Sequence, residues 1–305
     1  SAMIRVTEPG IYTMPAETYH ADPAADPSLS SGIGRLLLSH SPAHAWVAHP
    51  RLNPRYKAEE KDAFDLGSAA HALLLEGSDR MTVIDAEDFR TKHARELRDQ
   101  ARAEGRHPVL ASRYKDVIAM AEIARDTIER CPDLGGLTLK DGKAEQSIFW
   151  REAGVWCRIR PDWRANDGSV KLDYKTTSAS ASPESWPRTM AGMGGEFQAA
   201  FYTRGCEAVG DPHHAPFVFV VQETEPPYAC SLQALAPGYM ELGMSKVEEA
   251  IRTWAKCLKA NRWPGYPDRI CYIEPPAWEL TRWEERKAVI GTPYDPSKLW
   301  EKEPS

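Results

Sequence analysis

The sequence predicts an α+β (mixed α/β) fold, a central mixed sheet flanked by helices. Three observations carry the prediction. Up to residue 130 apolar residues recur mostly with a helical period. Over 145–176 short β-branched and aromatic runs alternate with turn residues. Beyond 183 the pattern returns to helix, then to a strand pair, then to helix. The 305 residues are enough to bury a sizeable core.

Taken in order, residues 1–27 are rich in Pro, Ala and Asp and read as an extended segment, with Ser1-Ala2 a tag remnant. Ser30-Ser31 caps a helix over 33–38, and Ser41-Pro42 restarts one through Val47, serine at the N-cap and proline at the first helical position. A Pro-rich, charged loop spans 49–61. Residues 64–75 are apolar nearly all round, which marks a buried helix. A charged helix follows over 88–104 and an amphipathic one over 111–130. Strands are expected at 145–150, 154–163 and 169–176, then helices from Pro183 and over 196–208. Residues 216–222 read as a buried strand, 228–234 as its partner, and 238–261 as a long amphipathic helix. The main domain is therefore 28–262. From Trp263 to 305 the chain is rich in Pro and Trp without clear period, a tail expected to wrap the domain or a neighbouring subunit.

Bulk properties exclude some classes. A net charge of −6 argues against a protein that coats nucleic acid, though not against a local basic groove. Six scattered cysteines include no C-x-x-C pair, so neither a zinc ribbon nor an iron–sulfur cluster is expected. No apolar run approaches the ~20 residues that span a bilayer, and no signal peptide follows Met3, so a cytoplasmic location is expected.

The chemistry concentrates in residues 155–177. Two strand-like runs flank Asp167-Gly168, a pair favoured in two-residue type I′ loops because both positions need positive φ. With that loop, residue i faces residue 335 − i, so Asp162 lies opposite Asp173, with Lys175 on the same face. Neighbouring like charges repel, and a divalent cation with hard oxygen ligands removes the objection. A lysine beside such a site orients water or stabilises charge building on a phosphoryl oxygen. On spacing alone, a solvated hairpin face with a Lys–Asp pair is the commoner reading. By the same standard a lone His71 in an apolar helix is a core histidine, Gln198 and Tyr202 are ordinary helix residues, and Glu145 pairs with Lys143 or Arg151.

The motifs together say more. Arg160-Pro161-Asp162 followed by Asp173-Tyr174-Lys175-Thr176 resembles the core of PD-(D/E)XK nucleases. Gln198-Ala-Ala-Phe-Tyr202 looks like the Q-x-x-x-Y motif of the RecB-like branch, and Gly67-Ser-Ala-Ala-His71 is similar to its histidine helix. The stretch from Leu29 to His44 is similar to the start of exodeoxyribonuclease VIII (RecE-type) nuclease domains. The resemblance spans roughly 28–225 and implies a restriction-endonuclease-like fold. It implies metal binding by His71, Asp162, Asp173 and the Tyr174 carbonyl, with Mg²⁺ or Mn²⁺ as the ion. Lys175 would activate water, and Glu145 would serve second-metal or DNA-end chemistry. Gln198 and Tyr202 would hold DNA or brace the site, while Arg160 and Thr176, in and after the hairpin, are placed for substrate-backbone contacts.

The implied activity is a 5′→3′ exonuclease on double-stranded DNA ends in phage-type recombination, working as a homo-oligomer with a single-strand annealing partner. An endonuclease, a DNA-binding scaffold with a degenerate site, or a metal-dependent hydrolase of another substrate fits the same spacing. Arg158 and Arg164 are further candidates for phosphate contacts. Arg95, Arg98 and Arg102 share one helix face, where pairing with Asp99 is the expected role.

Overall fold

Two serines start the first helices where their positions predict. A computed structural model describes residues 5–58, 63–288 and 296–297. Ser30 accepts from the Ile33 amide and Ser41 from the His44 amide, opening α2 (Ser31–Ser39) and α3 (Pro42–Ala48). The tag remnant, part of the charged loop and the end of the tail lie outside the described residues. The chain forms two compact units, Ser1–Gly265 and Tyr266–Ser305.

The N-terminal segment is more than extended chain. It contains β1 (Gly10–Tyr12) and the short α1 (Ala16–His20), and it buries Val6, Met14 and Tyr19 against Phe149 and Trp156. Next come α4 (Leu66–Glu76), capped by Asp65, then α5 (Lys92–Ala103) and α6 (Tyr114–Glu129). Between them β2 (Met81–Ile84) and β3 (His107–Leu110) form a small parallel pair. At four residues each they are too short to carry a legible period.

The central sheet is mixed, as expected. It comprises β4 (Gly142–Ala144), β7 (Trp163–Ala165), β8 (Lys171–Thr177), β9 (Phe217–Glu223) and β10 (Cys230–Ala234), in the order β10-β9-β8-β7-β4. Only the β8–β9 pair is parallel. A second, antiparallel sheet joins β1 to β5 (Ser147–Glu152) and β6 (Val155–Ile159). Helices α4 and α6 cover one face of the central sheet through Ala70, Met120 and Ala124 against Trp163, Leu172 and Val220. Residues of α7 (Trp186–Met193) and α8 (Gly195–Ala208) pack with Phe217, Phe219 and Val221 on the other. Helix α9 (Pro237–Ala260) closes a further core around Phe201, Ile159 and Trp254.

Alternation along β8 sends Leu172 and Tyr174 towards α4 and α6, leaving Asp173 and Lys175 on the α8 side. The β7–β8 register is the expected one: Trp163 faces Leu172 and Arg164 faces Lys171, each pair summing to 335. The turn differs from a type I′ loop. Gly168, at φ 71°, is left-handed whereas Asp167 is not, and the Gly168 amide donates to the Ala165 carbonyl. Asp167 instead caps the loop by accepting from the Ser169 amide, a role its short carboxylate suits. Within the second unit, 277–288 forms helix α10 (Ala277–Ala288) where no period was expected.

Candidate metal centre and active site

A break in one long hairpin makes the site. Strands β4 and β5 face β7 and β6 with one register throughout: Ala144 pairs with Trp163 and Ile148 with Ile159, both summing to 307. Extrapolated, Pro161 faces Gln146. Proline has no amide hydrogen to give the ladder, so pairing lapses there and the strands pass from one sheet to the other. At the break Glu145 takes φ 56°, a left-handed conformation that costs a residue with a Cβ about 1 kcal/mol or more. Its amide still donates to the Asp162 carbonyl at 3.1 Å. Glu145 and Asp162 therefore stand side by side, a neighbourhood the spacing of the sequence did not reveal.

Helix α4 supplies the third group. Gly67 permits the approach: a Cβ there would sit 2.2 Å from Thr176 Oγ1, so only glycine lets α4 rest this closely on β8. One turn on, His71 Nε2 lies 3.3 Å from Asp162 Oδ1 and 3.6 Å from Glu145 Oε1. Donor atoms of His71, Glu145 and Asp162 all fall within 4.8 Å of one another. One nitrogen and two carboxylates, each side chain about a quarter exposed or less, form a donor set that fits a divalent cation open to one side.

Asp173 stands beside this group. Its Oδ1 is 2.5 Å from Lys175 Nζ, and its Oδ2 accepts from Gln198 Nε2 at 2.8 Å. The lysine contact is an ion pair without hydrogen-bond geometry, so Oδ1 keeps a buried acceptor position. The expected Asp162–Asp173 pairing is thus resolved differently. Asp162 turns to His71 and Asp173 to Lys175, each carboxylate meeting a cation and lessening their mutual repulsion. The Tyr174 amide donates to Asp162 Oδ2 at 2.7 Å, fixing that carboxylate. The Tyr174 hydroxyl points to the far face and donates to Gln222 Oε1.

The charges respond accordingly. Burial alone would lower the His71 pKa, but the hydrogen bond and charge of Asp162, with Glu145 and Asp173 behind it, lift it to about 9. Burial and the Asp162 charge raise Asp173 to about 6, against the opposing pull of Lys175. Burial and Asp162 likewise raise Glu145, offset in part by His71 and Arg160.

The other candidates separate into site and scaffold. Gln198 holds Asp173, and one turn further along α8 the Tyr202 ring packs edge-on against Phe217 at 5.7 Å. Thr176 is packed under Gly67. Arg160 was expected to hold substrate. Its guanidinium is instead taken by Glu145 Oε2 at 2.6 Å, Ser147 Oγ at 2.8 Å and the Met14 carbonyl at 3.0 Å, so it braces Glu145. Arg158 and Arg164 are likewise engaged within the fold. Arg158 is buried against Asp22 at 3.2 Å and Ser28 at 2.7 Å, and Arg164 forks onto buried Asp211. Arg98 is buried and pairs with Asp99 at 2.8 Å.

Comparison with known proteins agrees with this architecture. Residues 36–276 match the family model described as a PDDEXK-like domain of unknown function (DUF3799). The chain belongs to that family. No curated protein matches. A crystal structure titled "Putative exonuclease" from Eubacterium rectale superposes with a TM-score of 0.57 at 14% identity, covering 88% of this chain and 98% of that one. At that identity the likeness establishes the fold. Among the described residues no helix is long and apolar enough to cross a membrane.

Proposed function

We propose that the chain is a divalent-metal-dependent deoxyribonuclease that hydrolyses DNA phosphodiesters, acting as a 5′→3′ exonuclease on double-stranded ends. The observation that carries this reading is the convergence of His71, Glu145 and Asp162 beside an Asp173–Lys175 pair. Membership of a PDDEXK-like family supports it.

A bound divalent cation supplies Lewis acidity to the phosphoryl group and to water. His71, Glu145 and Asp162 are the residues that would hold it, with Mg²⁺ or Mn²⁺ the ions suited to this set. Asp173, anchored by Gln198, holds the Lys175 ammonium through an ion pair. The ammonium orients the attacking water and stabilises negative charge as the P–O bond to the leaving group breaks. Arg160 and the Tyr174 amide hold Glu145 and Asp162 in place.

The test uses linear duplex DNA labelled at either end, alongside covalently closed circles, in Mg²⁺, in Mn²⁺ and in EDTA. Metal-dependent loss of linear DNA that spares circles, and fails with Lys175→Ala, is the expected result, the label giving polarity. Cleaved circles would make the protein an endonuclease. No hydrolysis by folded protein in either metal would leave a DNA-binding scaffold.

A further inference from the structure

We propose that helix α10 is an accessory site for single-stranded DNA, a reading that rests on the deoxyribonuclease assignment and extends it to a segment the family model does not reach. The matched region ends at residue 276 and α10 begins at Ala277. Trp278, Arg282 and Arg286 follow one another at i, i+4 and i+8, so they form one stripe, with Trp283 at its margin. Together with Pro275, these four side chains line most of a cleft of about 660 Å³. Both indoles are more than half exposed, Trp278 at 64% and Trp283 at 55%. Among the described residues neither Arg282 nor Arg286 has an ion-pair or hydrogen-bond partner, whereas Lys287 on the opposite side is paired with Glu284 at 2.6 Å. Among the described residues Glu279 is the one acidic side chain lining the cleft, which leaves a net positive lining.

Two guanidiniums between two open indoles match what a single strand presents. Each nucleotide offers an aromatic face for stacking and an anionic phosphate for a bidentate contact. A duplex does not fit as well, because its bases are already stacked on one another. A protein partner would have to bring a carboxylate to each of two guanidiniums, because burying them without a counter-charge costs far more than leaving them in water. Tethered to the catalytic unit by the chain itself, even a weak strand contact raises the local concentration of DNA.

The experiment measures binding by the full chain in EDTA, where no metal-dependent hydrolysis occurs. Fluorescence anisotropy follows an end-labelled oligothymidylate of about 20 nucleotides and a duplex of the same length, across a salt series. Arg282→Gln/Arg286→Gln is expected to lower the log–log salt slope for the single strand by about 1.4, roughly 0.7 for each phosphate no longer neutralised. Trp278→Ala/Trp283→Ala is expected to weaken single-strand binding by roughly 5- to 150-fold for each stacked base, with the slope unchanged. Short-duplex hydrolysis in Mg²⁺ or Mn²⁺ should persist in both variants, since neither touches the metal cluster. If both variants bind the oligothymidylate like the parent while all three hydrolyse duplex, the inference fails and the nuclease reading stands. If the variants change only self-association, α10 is a protein interface and the inference fails in that way. A parent that neither binds nor hydrolyses DNA removes both readings together.

Discussion

Loading the metal cluster should expel a proton from His71. In the metal-free protein that imidazole, held between Asp162 and Glu145, has its pKa raised to about 9. At pH 7.5 such a group is protonated in roughly 97% of molecules, and an imidazolium cannot ligate a metal. Binding one ion at pH 7.5 should therefore release about one proton. The proton's removal weakens apparent affinity by roughly 30-fold, about 2 kcal/mol, relative to pH well above 9. Titration calorimetry with Mn²⁺ in buffers of different ionisation enthalpy measures the count directly. A second comparison at pH 6 asks what Asp173 does. With its pKa at about 6 it is half protonated there. A release above that of the Asp173→Asn variant means that the bound ion drives Asp173 to its carboxylate form. The reasoning is refuted if binding is lost in Asp162→Asn, which places the ion in the cluster, yet wild type releases no proton at pH 7.5.

Three further outcomes are expected. Lys175→Ala should lower kcat on the order of 10²- to 10³-fold while leaving Mn²⁺ binding measurable by calorimetry, because the lysine faces Asp173 rather than the three-residue cluster. Gly67→Ala should destabilise the fold by about 1–3 kcal/mol in urea unfolding, because its Cβ would meet Thr176, and Thr176→Ala should recover part of the loss. In EDTA, His71 and Asp173 should lower the melting temperature from pH 4 to pH 9, opposing His20, Asp22 and Glu76, whose pKa values are depressed in the fold. The raised folded pKa of His71 contributes stability that is full below about 6.5 and is lost as pH rises through about 9. The Asp173 contribution is full below about 3.8 and is lost through about 6. The fall should be shallower in His71→Gln, and an equal slope in that variant would count against the assignment.

What could be read from the chain depended on how far apart the interacting residues lie. Ser30, Ser41 and Pro42 act within their own helix turn, and their caps appear as expected. The hairpin register also survived a wrong turn type, since the four-residue stretch 166–169 and a two-residue loop at Asp167-Gly168 both pair residues summing to 335. Arg158 and Arg164, by contrast, look from the sequence like phosphate contacts on a strand. Their partners, Asp22 and Asp211, lie 136 and 47 residues away, and nothing local reveals them. Pairing of β1 with β5 is hidden for the same reason, joining Gly10 to Phe149. In the site, His71, Gln198 and Asp173 are recognisable from motifs, but the bracing of Glu145 by Arg160 is not. Each of those residues has a bland explanation taken singly.

The break in the long hairpin ties these levels together. A continuous antiparallel ladder would put Glu145, Asp162 and Asp173 at regular positions on one surface, where three carboxylates have nothing to converge on. Pro161 removes a ladder hydrogen bond, and the left-handed turn at Glu145 lets the strands part while one amide–carbonyl link to Asp162 is kept. The carboxylates are then held by groups from elsewhere: Glu145 by Arg160, Asp162 by the Tyr174 amide, Asp173 by Gln198. His71 arrives over a glycine from the helix layer. Crowding three acids together, partly out of water, raises two of their pKa values and that of the histidine. Such perturbed groups gathered at one partly open position mark a site arranged for an added positive charge rather than for stability. The left-handed backbone at Glu145 belongs to the same arrangement, since it falls on the residue whose carboxylate joins the His71 imidazole and the Asp162 carboxylate.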